Sequence, residues 1–129
     1  GDGRKNASTR MPMAEGALLS LGASDDKRMR FAFDTFWKFY DRIEAVRRTD
    51  FHSDGQIAGF MFFHALYHTS EAISLLPAGR RSEHHQRLLD HVLGYPEMDG
   101  TFMDSHEVGR SYGTAMALLV IANALDAAQ

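Results

Sequence analysis

Five stretches of helical periodicity, alternately apolar on every side and apolar on one side only, leave this chain few folds to adopt. They run over about residues 10–22, 25–48, 56–76, 81–94 and 109–127. In the second, Met29, Ala32, Phe33, Phe36, Phe39, Tyr40 and Ile43 fall on one broad face at about 100° per residue. Lys27, Arg30, Asp34, Lys38 and Asp41 fall opposite. Ser24 stands where it can cap this helix, and Asp25 and Asp26 suit the positive end of its dipole. The fourth stretch is a shorter version, with His85, Leu88, Leu89 and Val92 as a narrow stripe among charges. The other three differ. The third carries Ile57, Met61 and Leu75 on one side and Phe62, Leu66 and Ile73 on the other. The fifth, Tyr112 to Leu125, is apolar or small all round, and the first, around Met11 to Leu19, leans the same way. Helices of that kind are expected to be buried on every side. Strand signals are poor, because Asp54-Gly55 and Asp99-Gly100 precede helical patterns instead of joining alternating segments. The expected class is all-α.

A weak internal repeat gives the alternation a cause. Ala17-Leu18-Leu19, Ala65-Leu66 and Ala117-Leu118-Leu119 recur at intervals of 48 and 52 residues. A period of that size with two helices per unit predicts an array of helical hairpins, one helix of each pair inside and its partner facing solvent. The other reading is a plain orthogonal helix bundle. At 129 residues and 44% apolar the chain fits a single domain, 1–129, with a real core. The absence of Cys removes thiolate metal sites and Cys nucleophiles. A net charge of −3 argues against a nucleic-acid partner. No apolar run reaches the roughly 18–20 residues of a membrane span. Gly1 to Asn6 is polar and turn-like and has no signal-peptide pattern, so an exported bacterial origin would need a signal upstream.

Asp99-Gly100-Thr101-Phe102, followed by Gly109-Arg110-Ser111-Tyr112-Gly113-Thr114-Ala115-Met116-Ala117, resembles the repeat of the squalene–hopene cyclase and protein prenyltransferase superfamily. In that repeat a turn of the form Gln, three residues, Gly, any, Trp precedes an inner helix beginning Tyr-Gly-Thr-Ala. Here Pro96 stands in place of the Gln and Phe102 in place of the Trp, as an aromatic plug of the same kind. The resemblance is best over 95–122 and implies an α/α toroid of paired helices in two concentric rings. A closed ring of five or six pairs needs roughly twice this length, so the chain is expected to form a partial ring and to belong to a larger protein. The uncovered inner-helix surface of such an arc is expected to take an apolar ligand, another protein segment or a second copy. The superfamily's catalytic features are missing. The only adjacent acids, Asp25-Asp26, do not make its Asp-x-Asp-Asp motif, and its Asp, Cys and His zinc site lacks the Cys. The aromatic residues cluster at helical spacing and read as core.

Three polar sets carry the chemistry that remains. His64, His68 and Glu71 fall at i, i+4 and i+7 on the third helix; they read first as hydrogen-bonded structural residues, next as a ligand-contacting polar cluster, and as the remaining alternative a Zn²⁺ site with an open position, so no cofactor is expected. Ala65 follows His64 where zinc proteases carry Glu, which removes that reading. Asp104, Ser105, His106, Glu107 and Arg110 form the loop into the fifth helix. Asp104 or Ser105 is expected to cap that helix; the resemblance implies that His106, Glu107 and Arg110 stand at the cavity mouth as binding or acid–base residues, with Tyr112 just inside the helix as a further binding candidate. Phe51, His52, Asp54 and Gln56 hold the corresponding place one repeat earlier, so a toroid would bring His52, Asp54, His106 and Arg110 together. His84-His85 reads as a surface pair, and Arg47-Arg48 and Arg80-Arg81 as helix-end cations. The expected function is a non-catalytic binding or interaction domain. The alternative is an enzyme on an α/α toroid, terpene cyclase or prenyltransferase-like, or a polysaccharide lyase or hydrolase, with part of its active site elsewhere.

Overall fold

The computed structural model describes residues 3–45, 47, 61–105 and 108–129. They form seven helices and, among the described residues, no strand: α1 (Gly3–Ala7), α2 (Met11–Ser20), α3 (Asp26–Lys38), α4 (Tyr40–Ala45), α5 (Phe62–Ile73), α6 (Ala78–Val92) and α7 (Gly109–Ala127). The protein is all-α. The short α1 stands where a polar turn was expected. The long second helix of the sequence pattern is divided at Phe39, with φ −105° and ψ 9°, into α3 and α4. No Gly or Pro lies there. The break separates two tethered rings: Trp37 donates to His84 Nδ1 at 2.9 Å, and the Tyr40 and Tyr95 hydroxyls meet at 2.7 Å.

Helix ends follow local chemistry in part. Asp25, not Ser24, caps α3, accepting from the Arg28 backbone N–H at 2.8 Å. Ser24 is engaged elsewhere, donating to Glu15 Oε2 at 2.6 Å, and Arg28 holds the same carboxylate through both its forks. These bonds, Arg28 foremost, hold the Glu15 pKa below the usual carboxylate value. Asp26 pairs with Arg30 at 2.8 Å and with Arg80. Arg80 therefore lies at a helix end, in the first turn of α6, where it tethers that helix to α3.

The helices stack in two rows. α5 lies between α2 and α7; α3 packs on α2, and α6 packs on both α5 and α7. Gly16 permits the α2–α5 approach, since a Cβ there would stand 3.0 Å from the Ala72 Cβ. Between the rows lies an aromatic core. Phe33, Phe36, Trp37, Tyr40, Phe62, Phe63, Tyr95 and Phe102 are buried, many meeting edge to face at centroid distances of 5.0 to 5.6 Å. Each fully buried large side chain contributes about 1.5–3 kcal/mol. The amphipathic faces of the second and fourth stretches are realised as expected, with Met29 to Ile43 and Leu88 to Val92 inward.

The all-round apolar helices do not all behave as expected. α5 buries eight residues around much of its circumference. α7 buries only Gly113, Ala117, Val120 and Ala124, and α2 only Pro12 and Gly16. The reason is the number of neighbours. Among the described elements α5 is packed by three helices, α7 by α5 and α6 on one side, and α2 by α3 and α5. No helix of the described residues is long and apolar enough to cross a membrane.

Candidate functional site

His64 and His68 project from the same side of α5, half-buried, with their Nε2 atoms 3.1 Å apart and ring centroids 4.3 Å apart. Burial, helped by the neighbouring His68, holds the His64 pKa below the ordinary histidine value, which favours a neutral ring. Glu71, one turn on, does not join them. Its Oε1 accepts from Asn123 Nδ2 of α7 at 2.7 Å, and the same amide donates to Ser70 Oγ at 2.8 Å. The expected triad is thus a pair plus a carboxylate tied to α7. Among the described residues no three His, Asp or Glu side chains form a metal-sized group. His68 and Glu71 do share a cleft of about 290 Å³ between α5 and α2, whose other wall includes Met13, Gly16 and Ala17.

The second set is a latch at the start of α7. Gly100, at φ +82°, makes the turn, with its N–H on the Glu97 carbonyl at 2.9 Å. Asp99 accepts from the Thr101 N–H and hydroxyl, and Arg110 Nη1 reaches Asp99 Oδ2 at 2.6 Å. Arg110 is exposed and committed to this turn. Phe102 is buried as a plug against Phe63, and its N–H donates to Thr114 Oγ1 at 3.0 Å. A Cβ on Gly113 would overlap the Phe102 carbonyl and stand 2.9 Å from the Asp104 nitrogen. Gly113 and Thr114 thus mark where the 101–105 loop passes close across α7.

Asp104 is 1% exposed and does not cap α7 as expected. It caps α5, accepting from the N–H groups of Phe62 at 3.1 Å and Phe63 at 3.0 Å, and from Ser105 N–H at 3.0 Å. Burial pushes its pKa up, against the pull of those donors and of Arg47. Ser105 serves the turn into α7, its carbonyl accepting from Gly109 N–H at 2.9 Å. Tyr112 is half-buried near this carboxylate, and burial followed by the Asp104 charge raises its pKa. Arg47 lies over the Tyr95 ring at 4.7 Å and donates to the Met103 carbonyl at 3.3 Å. The expected meeting of His52, Asp54, His106 and Arg110 involves three positions that lie outside the described residues, as do Phe51, Gln56 and Glu107.

The His84-His85 pair is not on the surface. His84 is half-buried, accepting from Trp37, and burial lowers its pKa. His85 is 3% exposed, neither of its ring nitrogens has a hydrogen-bond partner among the described residues, and burial lowers its pKa too. The sequence signal for this was its place in the Leu88, Leu89 and Val92 stripe. Asp104 as the α5 cap had no local signal, because its partners lie more than 40 residues away.

The outward face of α7 is apolar. Ala115, Leu118, Leu119, Ala122 and Leu125 recur at steps of three and four, and all are exposed. Leu118 is 56%, Leu119 42% and Leu125 55% exposed. No family model, curated protein or solved structure matches the chain.

Proposed function

We propose that the chain is a non-catalytic helical-repeat interaction domain of the terpenoid cyclase and prenyltransferase-like kind. In this reading α2, α5 and α7 are inner helices of a partial toroid, α3 and α6 are outer ones, and α7 is where the domain engages its partner. The observation that carries it is the uncharged, uncovered stripe of α7. Contiguous apolar surface of this kind marks a contact site. Two further features agree with an interaction role. Asp25 and Asp26, the only adjacent acids, are spent on capping and ion pairs. Among the described residues, eight of the aromatic rings, Phe33, Phe36, Trp37, Tyr40, Phe62, Phe63, Tyr95 and Phe102, are packed together in the core.

The stripe alternates small residues, Ala115 and Ala122, with leucines. That gives grooves and ridges which fit an apolar helix of the same build. The α7 helix of a second copy is one, so the chain is expected to self-associate. Sedimentation equilibrium of wild type and of the Leu118→Lys/Leu119→Lys double variant tests this. Expected are a concentration-dependent dimer for wild type and a monomer for the variant, with the variant's stability within about 0.5 kcal/mol of the wild-type monomer. A monomeric wild type, or a variant that unfolds because the leucines serve the chain's own core, overturns the proposal.

A further inference from the structure

We infer that His64 and His68 form a bidentate site for a divalent transition-metal ion, held through their two Nε2 atoms on the flank of α5. Their geometry carries the inference. With metal–nitrogen bonds of about 2.05 Å, two nitrogens 3.1 Å apart subtend about 98° at the ion. That lies between the right angle of square-planar or octahedral coordination and the tetrahedral angle, so either geometry is reached by small rotations of the rings. The spacing has a backbone cause. Residues four apart stand one above the other on a helix, and α5 is fixed between α2 and α7, so the pair is set before any ion arrives.

The chemistry of the pair agrees. Two rings bridged at Nε2 need one proton between them. An ion takes that place when both rings carry their proton on Nδ1, so that two lone pairs face one point. This is a tautomer shift with no net change of charge on the protein. The rings are half-buried, and His68 opens on the cleft of about 290 Å³ shared with Met13 and Glu71, which leaves space for the waters that complete the coordination shell. Glu71, anchored by Asn123, places a carboxylate on the rim where it can accept hydrogen bonds from such waters. With no third His, Asp or Glu in the group among the described residues, the open positions remain exchangeable. Imidazole ligands select Cu²⁺, Ni²⁺, Co²⁺ and Zn²⁺ over Mg²⁺ and Ca²⁺. The site lies on α5 and is independent of the reading of α7.

Calorimetric titration of untagged chain with Ni²⁺, Cu²⁺, Co²⁺ and Mg²⁺ tests it. Expected are one ion per chain, affinities in the order Cu²⁺ over Ni²⁺ over Co²⁺, and no Mg²⁺ binding. His64→Ala and His68→Ala should each weaken Ni²⁺ binding at least about tenfold, since a lost ligand costs no less than a lost outer-shell partner. His84→Ala should leave it unchanged. Electron paramagnetic resonance of the Cu²⁺ form should show two equatorial nitrogens, reduced to one in either alanine variant. His68→Gln, which retains a hydrogen-bonding side chain, guards against a folding defect: it must show the wild-type far-UV spectrum and still lose binding. Ni²⁺ binding that survives in both alanine variants, or no binding by folded wild type, overturns the inference.

Discussion

α5 and α7 are made of similar residues and meet different fates. α5 lies between α2 and α7 with α6 across it, and its Phe62, Phe63, Leu66 and Ile73 are fully covered. α7 carries no charged residue from Ser111 to Leu125, where α5 carries Glu71, yet its leucines stand in the open along one side. The comparison teaches that apolar composition fixes a helix's appetite for neighbours, while the number of neighbours within the fold decides how much of it is met. It also separates two kinds of residue on α7. At its start, Gly113 and Thr114 are locked to the loop; along its outer face, Ala115, Leu118, Leu119, Ala122 and Leu125 touch little of their own chain.

The largest effect is expected where α5 is best satisfied. Asp104→Ala leaves the N–H groups of Phe62 and Phe63 without their acceptor in the core, at a cost of about 3 kcal/mol in urea unfolding. If the loss is under about 1 kcal/mol, the α5 end is less closed than described and the contrast with α7 weakens. Next comes Gly113→Ala. The added methyl forces the backbone of Phe102 and Asp104 away from α7, for a loss of about 1–3 kcal/mol. Leu118→Ala, at a position 56% exposed, adds no atom against a neighbour and carries no such penalty, so the pair of variants sharpens the difference between the start and the face of one helix.

A smaller effect concerns pH. Burial lowers the folded-state pKa of His64, His84 and His85, so the unfolded chain binds more protons than the fold. Their contribution is intact above the unfolded value of about 6.5 and is lost as pH falls below it toward the folded values. Thermal melts should therefore drop in temperature as pH falls below about 6.5. His85→Leu removes a buried imidazole that has no hydrogen-bond partner among the described residues, so it should make that decline shallower and raise stability at neutral pH by about 1 kcal/mol. A steeper acid decline in this variant would contradict the assignment.

Much of the fold was legible because periodicity is local. Met29 to Ile43 and Leu88 to Val92 declare their inner faces through residues three and four apart. What was not legible depended on distance along the chain. Asp104 reads as a cap for the helix that follows it, and only the tertiary fold brings it beneath α5. Glu71 reads as a third member of the histidine set, and only the approach of α7 hands it to Asn123. The burial of His85 was half visible in its stripe and obscured by the charges around it. The division at Phe39 comes from rings tethered to α6 and Tyr95, contacts that no window of sequence contains.

The uncovered stripe is the centre of the account, and thiol labelling tests it most directly, because the chain has no Cys of its own. Leu119→Cys lies in the stripe and Asp126→Cys lies beside its end on exposed α7 surface. The account predicts that Cys at 119 reacts several times more slowly than Cys at 126 at high protein concentration, and that the two rates converge on dilution as the helices part. Equal rates at every concentration would show that nothing covers α7 and would contradict the account.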